Sequence, residues 1–591
     1  LLKQHGVDLI VTDHHQRKDE LPDVYALIHP EIDESYPFHH LCGAGVALKI
    51  AQALLQDELH EDYYVIAMMG TIGDVVPLVG ENRSIVKRGL KQLKITQDPG
   101  LLKLIELTGS EQTELNEVNV GFELCPRLNA PGRMDEAMIA VELLVCQDEI
   151  VAADLGEQIQ SFNQARQAET QTVLNEAMKL ISEEEIKSKK VILLHQPNWH
   201  EGILGIVAGR LARNWGKAVF VLSDDHEGGI KGSARAIEGY HLFDLLNECQ
   251  ELITKFGGHA LAAGISFPHE NLKALDQKMN ELLKDSDIQP IQPVDLSLDL
   301  EDIDLTLLEQ FEALAPFGEG NRPPVVKLNQ VSVKDVKCIG NKSQHLKFVA
   351  SNGGKKQIDV IGFNMADLFI YLTPDTAFDL VGELKINEWN GNRSVQLQLI
   401  DLSCHEFQLI DLRNKQVYES NMKYIQNMVS YKDLAESIEV GSNLLLDTLP
   451  KSVDELLSRI KKNKPNNVIL GPLPAEVTFA QREKFIFVYK IVKQQKTFQL
   501  TPEVYHYFSK QGISKNELLF ILQVFFEVEL VIINNGIITE TVSSHKRDLS
   551  EAPLYQTQAA KVKTLEFFEL STFKEIKAAF IHAREENSNE S

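Results

Sequence analysis

Near its start the chain places apolar residues in short runs, and further on it places them at helical spacing. Val7, Leu9, Ile10 and Val11 run into Thr12, Asp13, His14 and His15, which predicts a buried strand over Val7–Val11 ending in an acid and two imidazoles. Val24–Ile28 predicts a second short strand. "CGAGVALKIAQALL" opens on Gly43 and Gly45 and then spaces Val46, Leu48, Ile50, Ala53 and Leu54 as a helix. Asp62–Met69 predicts a short helix ending at Gly70. Strands alternating with helices indicate an α/β domain with a largely parallel sheet.

From Asp148 to about Ile186 the pattern is helical without a break, with Leu155, Ile159 and Phe162 and then Val173, Ala177 and Leu180 as its apolar positions. Such a helix reaches roughly 50 Å and suits a strut between two domains. Val191–Leu194 begins a second α/β unit that runs to about Lys284, and "SDIQPIQPVD", with Pro290 and Pro293, reads as a linker. From Pro324 to Leu402 alternation takes over, with hairpin signals at "SNGG" and "WNGN". Five strands, with the helix "MADLFIYL" between the third and fourth, predict an oligonucleotide-binding (OB) barrel. Beyond His405 comes a strand–helix–strand pattern, then three helices, the last with a Ser514/Glu517 capping box. A hairpin turning at Asn535-Gly536 completes a winged-helix pattern, and the terminal "REENSNES" reads as disordered. The predicted domains are 1–147, a connecting helix 148–186, 187–285, a linker 286–323, the barrel 324–405 and a C-terminal region 406–591.

At 591 residues, several domains are required. The net charge of −26 argues against broad attraction to nucleic acid but leaves room for a local basic groove, because phosphate contacts are short-range in salt. Cys42, Cys125, Cys146, Cys249, Cys338 and Cys404 are scattered and form no Cys-x-x-Cys pair, which points to a reducing, cytoplasmic setting without a zinc ribbon. The best candidate for a membrane span, Phe520–Ile538, is interrupted by Glu527, Glu529, Asn534 and Asn535. The chain opens at Leu1 in mid-pattern, so an upstream segment is expected to be missing.

Several short stretches carry candidate chemistry. Asp13, His14 and His15 sit at a strand's carboxyl end, where ligands bind in parallel α/β sheets, and an imidazole–carboxylate set suits Mn²⁺, Mg²⁺ or Zn²⁺; a capped strand end with two surface histidines is the competing reading. Asp74 in "GTIGDVVPL" lies past a helix end and either meets a metal or caps a turn. "PRLNAPGRM" sets Arg127 and Arg133 about a turn containing Asn129, an arrangement for phosphate or carboxylate. "FGGHALAAGIS" surrounds His259 with Gly257, Gly258 and small residues, so backbone and imidazole can approach a phosphate; a tight helix start is the alternative. "GSARAIEG" adds Ser233 and Arg235, and "HEGILGIVAGRLA" adds His200, Gly205 and Arg210. In the barrel, Lys347, Lys385, Trp389 and Arg393 lie near the hairpins, suited to stacking and phosphate contact. "CGAGVALK" is a poor match to a dinucleotide fingerprint, since the third glycine is missing.

Asp-His-His after a strand, Asp74 downstream and "GGHALAAG" in a second domain resemble the DHH phosphoesterase superfamily. "LCGAGVALK", "GDVVPLVGENR", "PRLNAPGRM", "GILGIVAGRLA", "SARAIEG", "PFGEGNRPP" and "NEWNGNRSVQLQLID", in that order over residues 1–405, narrow the resemblance to its RecJ family of single-strand-specific 5′-to-3′ DNA exonucleases. The resemblance implies an α/β DHH core, a DHH-associated substrate domain, an OB barrel and a C-terminal interaction domain. It implies two divalent ions, Mn²⁺ or Mg²⁺, with His14 and Asp74 as ligands and Asp13 as a ligand or a supporting partner. His15 would act on the scissile phosphate or the leaving group, and Arg235 and His259 would bind DNA phosphate. Single-strand-binding protein docking on the C-terminal region, a RecQ-type helicase, a monomeric state and a role in DNA repair and recombination are implied as well. The family's earlier Asp-x-Asp-Gly motif and a further metal aspartate are not in this chain, so the 591 residues alone are expected to be inactive and prone to aggregate. Two other readings remain at this point: a phosphodiesterase for short oligonucleotides or cyclic dinucleotides, and a non-catalytic single-strand-binding scaffold.

Overall fold

The structure is a computed structural model. It describes residues 2–15, 21–32, 35–134, 136–225, 228–288, 291–354, 356–373, 376–389, 391–421, 428–432, 443–473, 477–541 and 547–585. The chain forms two compact units: residues 1–295 with 309–324, and 296–308 with 325–591.

The first unit begins with two short parallel strands, β1 (Ile10–Thr12) and β2 (Ala26–Ile28). The expected burial of the first strand is not met, since Val7, Leu9 and Ile10 are exposed. In a sheet of two strands β1 has a single neighbour. Most of the core is helical. α1 (Gly43–Leu55) and α2 (Asp62–Gly73) pack closely, and α3 (Gly80–Leu93) lies against α2. α2 runs on past Gly70, which was expected to end it. A Cβ at Gly70 would lie 2.4 Å from that of Ala44, so this glycine serves the approach of two helices rather than a stop.

"PRLNAPGRM" is a helix and not a turn. A π-helical stretch, Val120–Leu124, leads directly into α4 (Cys125–Met134), which carries the buried Pro131 inside it. α5 (Glu149–Lys179) is the expected strut, begun by the Asp148 side chain accepting from the N–H groups of Ile150 and Val151. Its 31 residues span about 46 Å. It ends sooner than the periodicity predicts, because Ser182 and Glu185 form a capping box that starts a separate helix, Glu183–Ser188. Ala152, Leu155 and Ile159 complete the core of the first domain, and Val173 and Ala177 that of the second.

The second domain is a five-stranded sheet in the order β3 (Val191–His195), β4 (Ala218–Asp224), β5 (Ile230–Arg235), β7 (Ala262–Phe267), β6 (Lys255–Gly258). α6 (Glu201–Trp215) packs on β4 and β5.

In the second unit, β9 (Val325–Ile339), β10 (His345–Ser351), β11 (Gln357–Gly362), β12 (Ala377–Trp389) and β13 (Asn392–Ser403) close into a barrel through the β9–β10 pairing. The helix expected between the third and fourth strands is a 3₁₀ segment, Ala366–Tyr371. Part of the expected linker is also structured: β8 (Leu296–Leu298) adds to β9 in parallel. Residues 289–290, with Pro290, lie outside the described residues.

β14 (Gln408–Asp411), β15 (Val429–Ser430), β16 (Asn443–Leu446) and β17 (Asn467–Leu470) form a parallel sheet in the order β14-β17-β16-β15. The winged-helix pattern holds: helices Arg482–Gln495, Pro502–Lys510 and Lys515–Glu527 carry a small sheet of β18 (Thr497–Gln499), β19 (Val531–Asn534) and β20 (Ile537–Glu540). The tail returns as helices Pro553–Leu570 and Phe573–Glu585, whose Phe568, Ile576 and Phe580 fill the core under β14–β17. Arg584 and Glu585, expected to be disordered, end this last helix, and residues 586–591 lie outside the described residues. Among the described residues no helix is long and apolar enough to cross a membrane.

Candidate active site

The carboxyl ends of β1 and β2 lie side by side, and this places Asp13, His14 and His15. Asp13 N–H donates to Ile28 O, and the His29 imidazole, through Nε2, donates to His15 O at 2.8 Å. His29 Nδ1 accepts from Glu31 N–H, so the donor must be Nε2. This buried histidine was not anticipated; its signal is that "ALIHP" repeats the strand-then-histidine order of the first strand.

Asp13 Oδ1 accepts from the backbone N–H of His14 and of His15 and pairs with His15 Nδ1 at 2.6 Å. The His15 imidazole, followed by the His15 N–H, pulls the Asp13 carboxyl down to about 2. His15 itself is 79% exposed, so Asp13 orients a ring that faces solvent. His14 packs on the first turn of α1, where a Cβ at Gly43 would lie 3.2 Å from its ring. Its Nδ1 is 3.6 Å from Asp74 Oδ2. Asp74 caps α2, and the next residue, Val75, is held at φ 58°, a strained conformation for a β-branched residue. Both expected ligands therefore converge, at a spacing too long for a hydrogen bond. Adjacent ligands of one divalent ion with bonds near 2.1 Å sit about 3 Å apart, so the pair fits an ion between them after a small closure.

In the second domain, α6 carries glycines at 202, 205 and 209 on one side. A Cβ at Gly202 would strike Arg133 O at 2.0 Å, and one at Gly205 would lie 3.0 Å from Arg235 Nη2. Arg133 in turn donates to Gly202 O at 3.1 Å, which joins α4 to α6. Four arginines gather here. Burial first, then the charges of Arg133 and Arg210, hold the Arg166 guanidinium below its usual value; burial and Arg133 do the same to Arg235. Among the described residues none of the four is ion-paired, and Arg166 Nε is buried without a hydrogen-bond partner. Arg166 was missed because "NQARQAETQ" reads as the polar face of a strut.

The remaining predicted residues divide. Arg127 is spent inside the fold, donating to Gln160 Oε1, Glu123 O and Leu107 O. His200 caps α6 by accepting from Gly202 N–H. Asn129 is exposed on α4, and Ser233 lies on β5. Gly257 and Gly258 end β6 in a hairpin, not a helix start. Gly258 stands at φ 149°, and a Cβ there would lie 2.3 Å from Ala262 O. His259 is exposed in the turn. In the barrel, Lys347 pairs with Asp359 at 2.8 Å and Lys385 with Glu383 at 2.7 Å, which lowers the free positive charge expected there. Arg393 lies opposite Glu388 in the β12–β13 register, and the Trp389 side chain lies outside the described residues.

Family models match three segments: the DHHA1 domain over residues 188–285, the RecJ OB domain over 294–401, and the C-terminal domain of single-strand DNA-specific exonuclease over 392–580. The single-stranded-DNA-specific exonuclease RecJ of Bacillus subtilis is 34% identical over 97% of this chain and 78% of its own length. The chain belongs to the RecJ family. RecJ of Haemophilus influenzae is 32% identical over 68% of this chain and 74% of its own length. RecJ of Thermus thermophilus, solved in complex with Mn²⁺, matches with a TM-score of 0.59 and 23% identity, covering 97% of this chain and 79% of that one, a likeness of fold. The RecJ barrel match begins at residue 294, which agrees with β8 belonging to the barrel sheet.

Proposed function

We infer that this RecJ-family chain is a metal-dependent exonuclease acting on single-stranded DNA from the 5′ end and releasing 5′ mononucleotides. The observation that carries the reading is the convergence of His14 and Asp74 at the strand ends, in one unit with four arginines that have no counter-ion among the described residues. In a protein of charge −26 such a group is a local anion site. The barrel and the C-terminal domain favour this reading over a dinucleotide phosphodiesterase or a non-catalytic scaffold.

His14 and Asp74 would hold Mn²⁺ or Mg²⁺, with Asp13 as a further carboxylate toward a two-ion site. Divalent ions held there would supply an activated water and neutralise charge on the phosphodiester. The Asp13–His15 bond occupies Nδ1 and leaves His15 Nε2 to meet the scissile phosphate or the leaving oxygen. Arg133, Arg166, Arg210 and Arg235 bind backbone phosphate, with Ser233 and the Gly257–His259 turn beside them. The barrel holds the following single strand.

The C-terminal region serves as an interaction domain. The helix Val453–Asn463 ends in Lys461 and Lys462, suited to the acidic tail of single-strand-binding protein, and a RecQ-type helicase is a second candidate partner. The protein would act as a monomer in the cytoplasm.

The test is digestion of end-labelled oligonucleotides with Mn²⁺ or Mg²⁺ by this chain joined to the aspartate motifs that the family resemblance calls for. Mononucleotide release from the 5′ end of single strands and not of duplex is expected. Release from the 3′ end, or equal loss of duplex, would overturn the reading.

A further inference from the structure

A second constellation lies away from the arginines. Among the described residues, the group of three potential metal ligands that meets is His195, Asp224 and His269, with one ligand atom of each within 4.8 Å of the other two. Register explains the meeting. His195 ends β3 and Asp224 ends β4, its parallel neighbour. Asp224 pairs with Ile230 of β5, Ile230 pairs with Phe267 of β7, and His269 follows two residues later. All three side chains therefore leave the same edge of the sheet. Arg235 lies at the other end of β5, opposite Val219, so about 17 Å of strand separates this edge from the arginine group.

Asp224 Oδ1 is 2.7 Å from His195 Nε2 and 3.2 Å from His269 Nε2, and the two rings meet edge to face at 5.5 Å. Among the described residues, the ion pairs of Asp224 are with these two histidines, and no lysine or arginine neutralises it. Four-coordinate zinc holds its ligand atoms about 3.3 Å apart, so both histidine–carboxylate spacings lie close to what the ion needs, and all three ligand atoms stay within 4.8 Å of one another.

We propose that His195, Asp224 and His269 form a Zn²⁺ site of the second domain. Two imidazoles and one carboxylate favour Zn²⁺ over Mg²⁺ or Mn²⁺, which prefer oxygen-rich sets. Asp224 and His269 are 37% and 44% exposed, which leaves a coordination position open to water. Binding displaces the imidazole protons that now face Asp224. The ion ties the segment after β7, and with it the helix Leu272–Leu282, to the ends of β3 and β4. Its role is to fasten the sheet that presents Ser233 and Arg235.

The experiment uses the full chain stripped with a chelator and titrated with Zn²⁺ alone, with stoichiometry and affinity read by calorimetry. The unmodified chain should bind one more equivalent than His269→Gln or Asp224→Asn and should melt at higher temperature once that equivalent is bound. His14→Ala and Asp74→Asn should retain it. His269→Cys should retain it too, and with Co²⁺ should show a thiolate charge-transfer band absent from the unmodified chain. Equal stoichiometry and affinity in the unmodified chain and His269→Gln would overturn the proposal, as would loss of the equivalent from His14→Ala but not from His269→Gln.

Discussion

A side chain at position 205 would stand against the guanidinium of Arg235. The Cβ of such a residue lies 3.0 Å from Nη2, so Gly205 on α6 is the space into which Arg235 fits. Gly205→Leu should push the guanidinium aside while leaving Asp13–His15 intact. The expected result is a rise in KM of about tenfold, or about 1.4 kcal/mol, with kcat largely kept. A fall in kcat with unchanged KM would show that Arg235 is not a substrate contact.

Arg166 should count for more than its place on the strut suggests. Its Nε is buried without a partner and Arg133 and Arg210 repel it, so a bound phosphate would supply a counter-charge there. Arg166→Gln should weaken single-strand binding and lower the slope of log affinity against log salt by about 0.7. An unchanged slope would leave Arg166 with a packing role only.

The sequence made the DHH strand end, the strut, the second α/β domain, the barrel and the winged helix legible, because each rests on periodicity or a local cap. It failed where long-range packing decides. Gly70 looks like a helix stop until Ala44 is seen against it, and "PRLNAPGRM" looks like a turn although the preceding π-helical segment leads it into α4. Arg127 and Arg166 exchange expected roles for the same reason: burial and partners, invisible in one dimension, make the first structural and leave the second unsatisfied. Strand β8 carries only "LSL", too short to show a period.

On the proposed reading, ion binding and phosphate chemistry fall to different side chains. Asp74→Asn and His14→Ala should each lose Mn²⁺ affinity and cleavage together, measured by calorimetry and by nucleotide release. His15→Ala should keep the ion and single-strand binding while kcat falls by about 10²- to 10⁴-fold. Should His15→Ala retain near-normal turnover, the Asp13–His15 pair has no part in the chemistry.

Glu81 at the start of α3 gives the first domain an acid-sensitive tie. Its carboxylate accepts from Lys49 Nζ at 2.8 Å and from Tyr36 OH at 2.5 Å, linking α3 to α1 and to the segment before it. Burial alone would raise its pKa, but the Lys49 and Tyr36 hydrogen bonds outweigh burial and hold it below the usual value of 4.5. A carboxyl with a lowered folded-state pKa contributes stability that is fully present above the unfolded value. That contribution fades as pH falls from about 4.5 through the folded one. Glu81→Gln keeps the shape and one acceptor oxygen but removes the charge. At pH 7 it should destabilise the first domain by about 1 kcal/mol, since the pair is partly exposed. Thermal unfolding of both proteins across pH 7 to 4 should then show the gap narrowing once pH drops below about 4.5. No gap at any pH would mean that Glu81 acts through shape alone, and a gap that stays constant over that range would mean that the loss does not come from its charge.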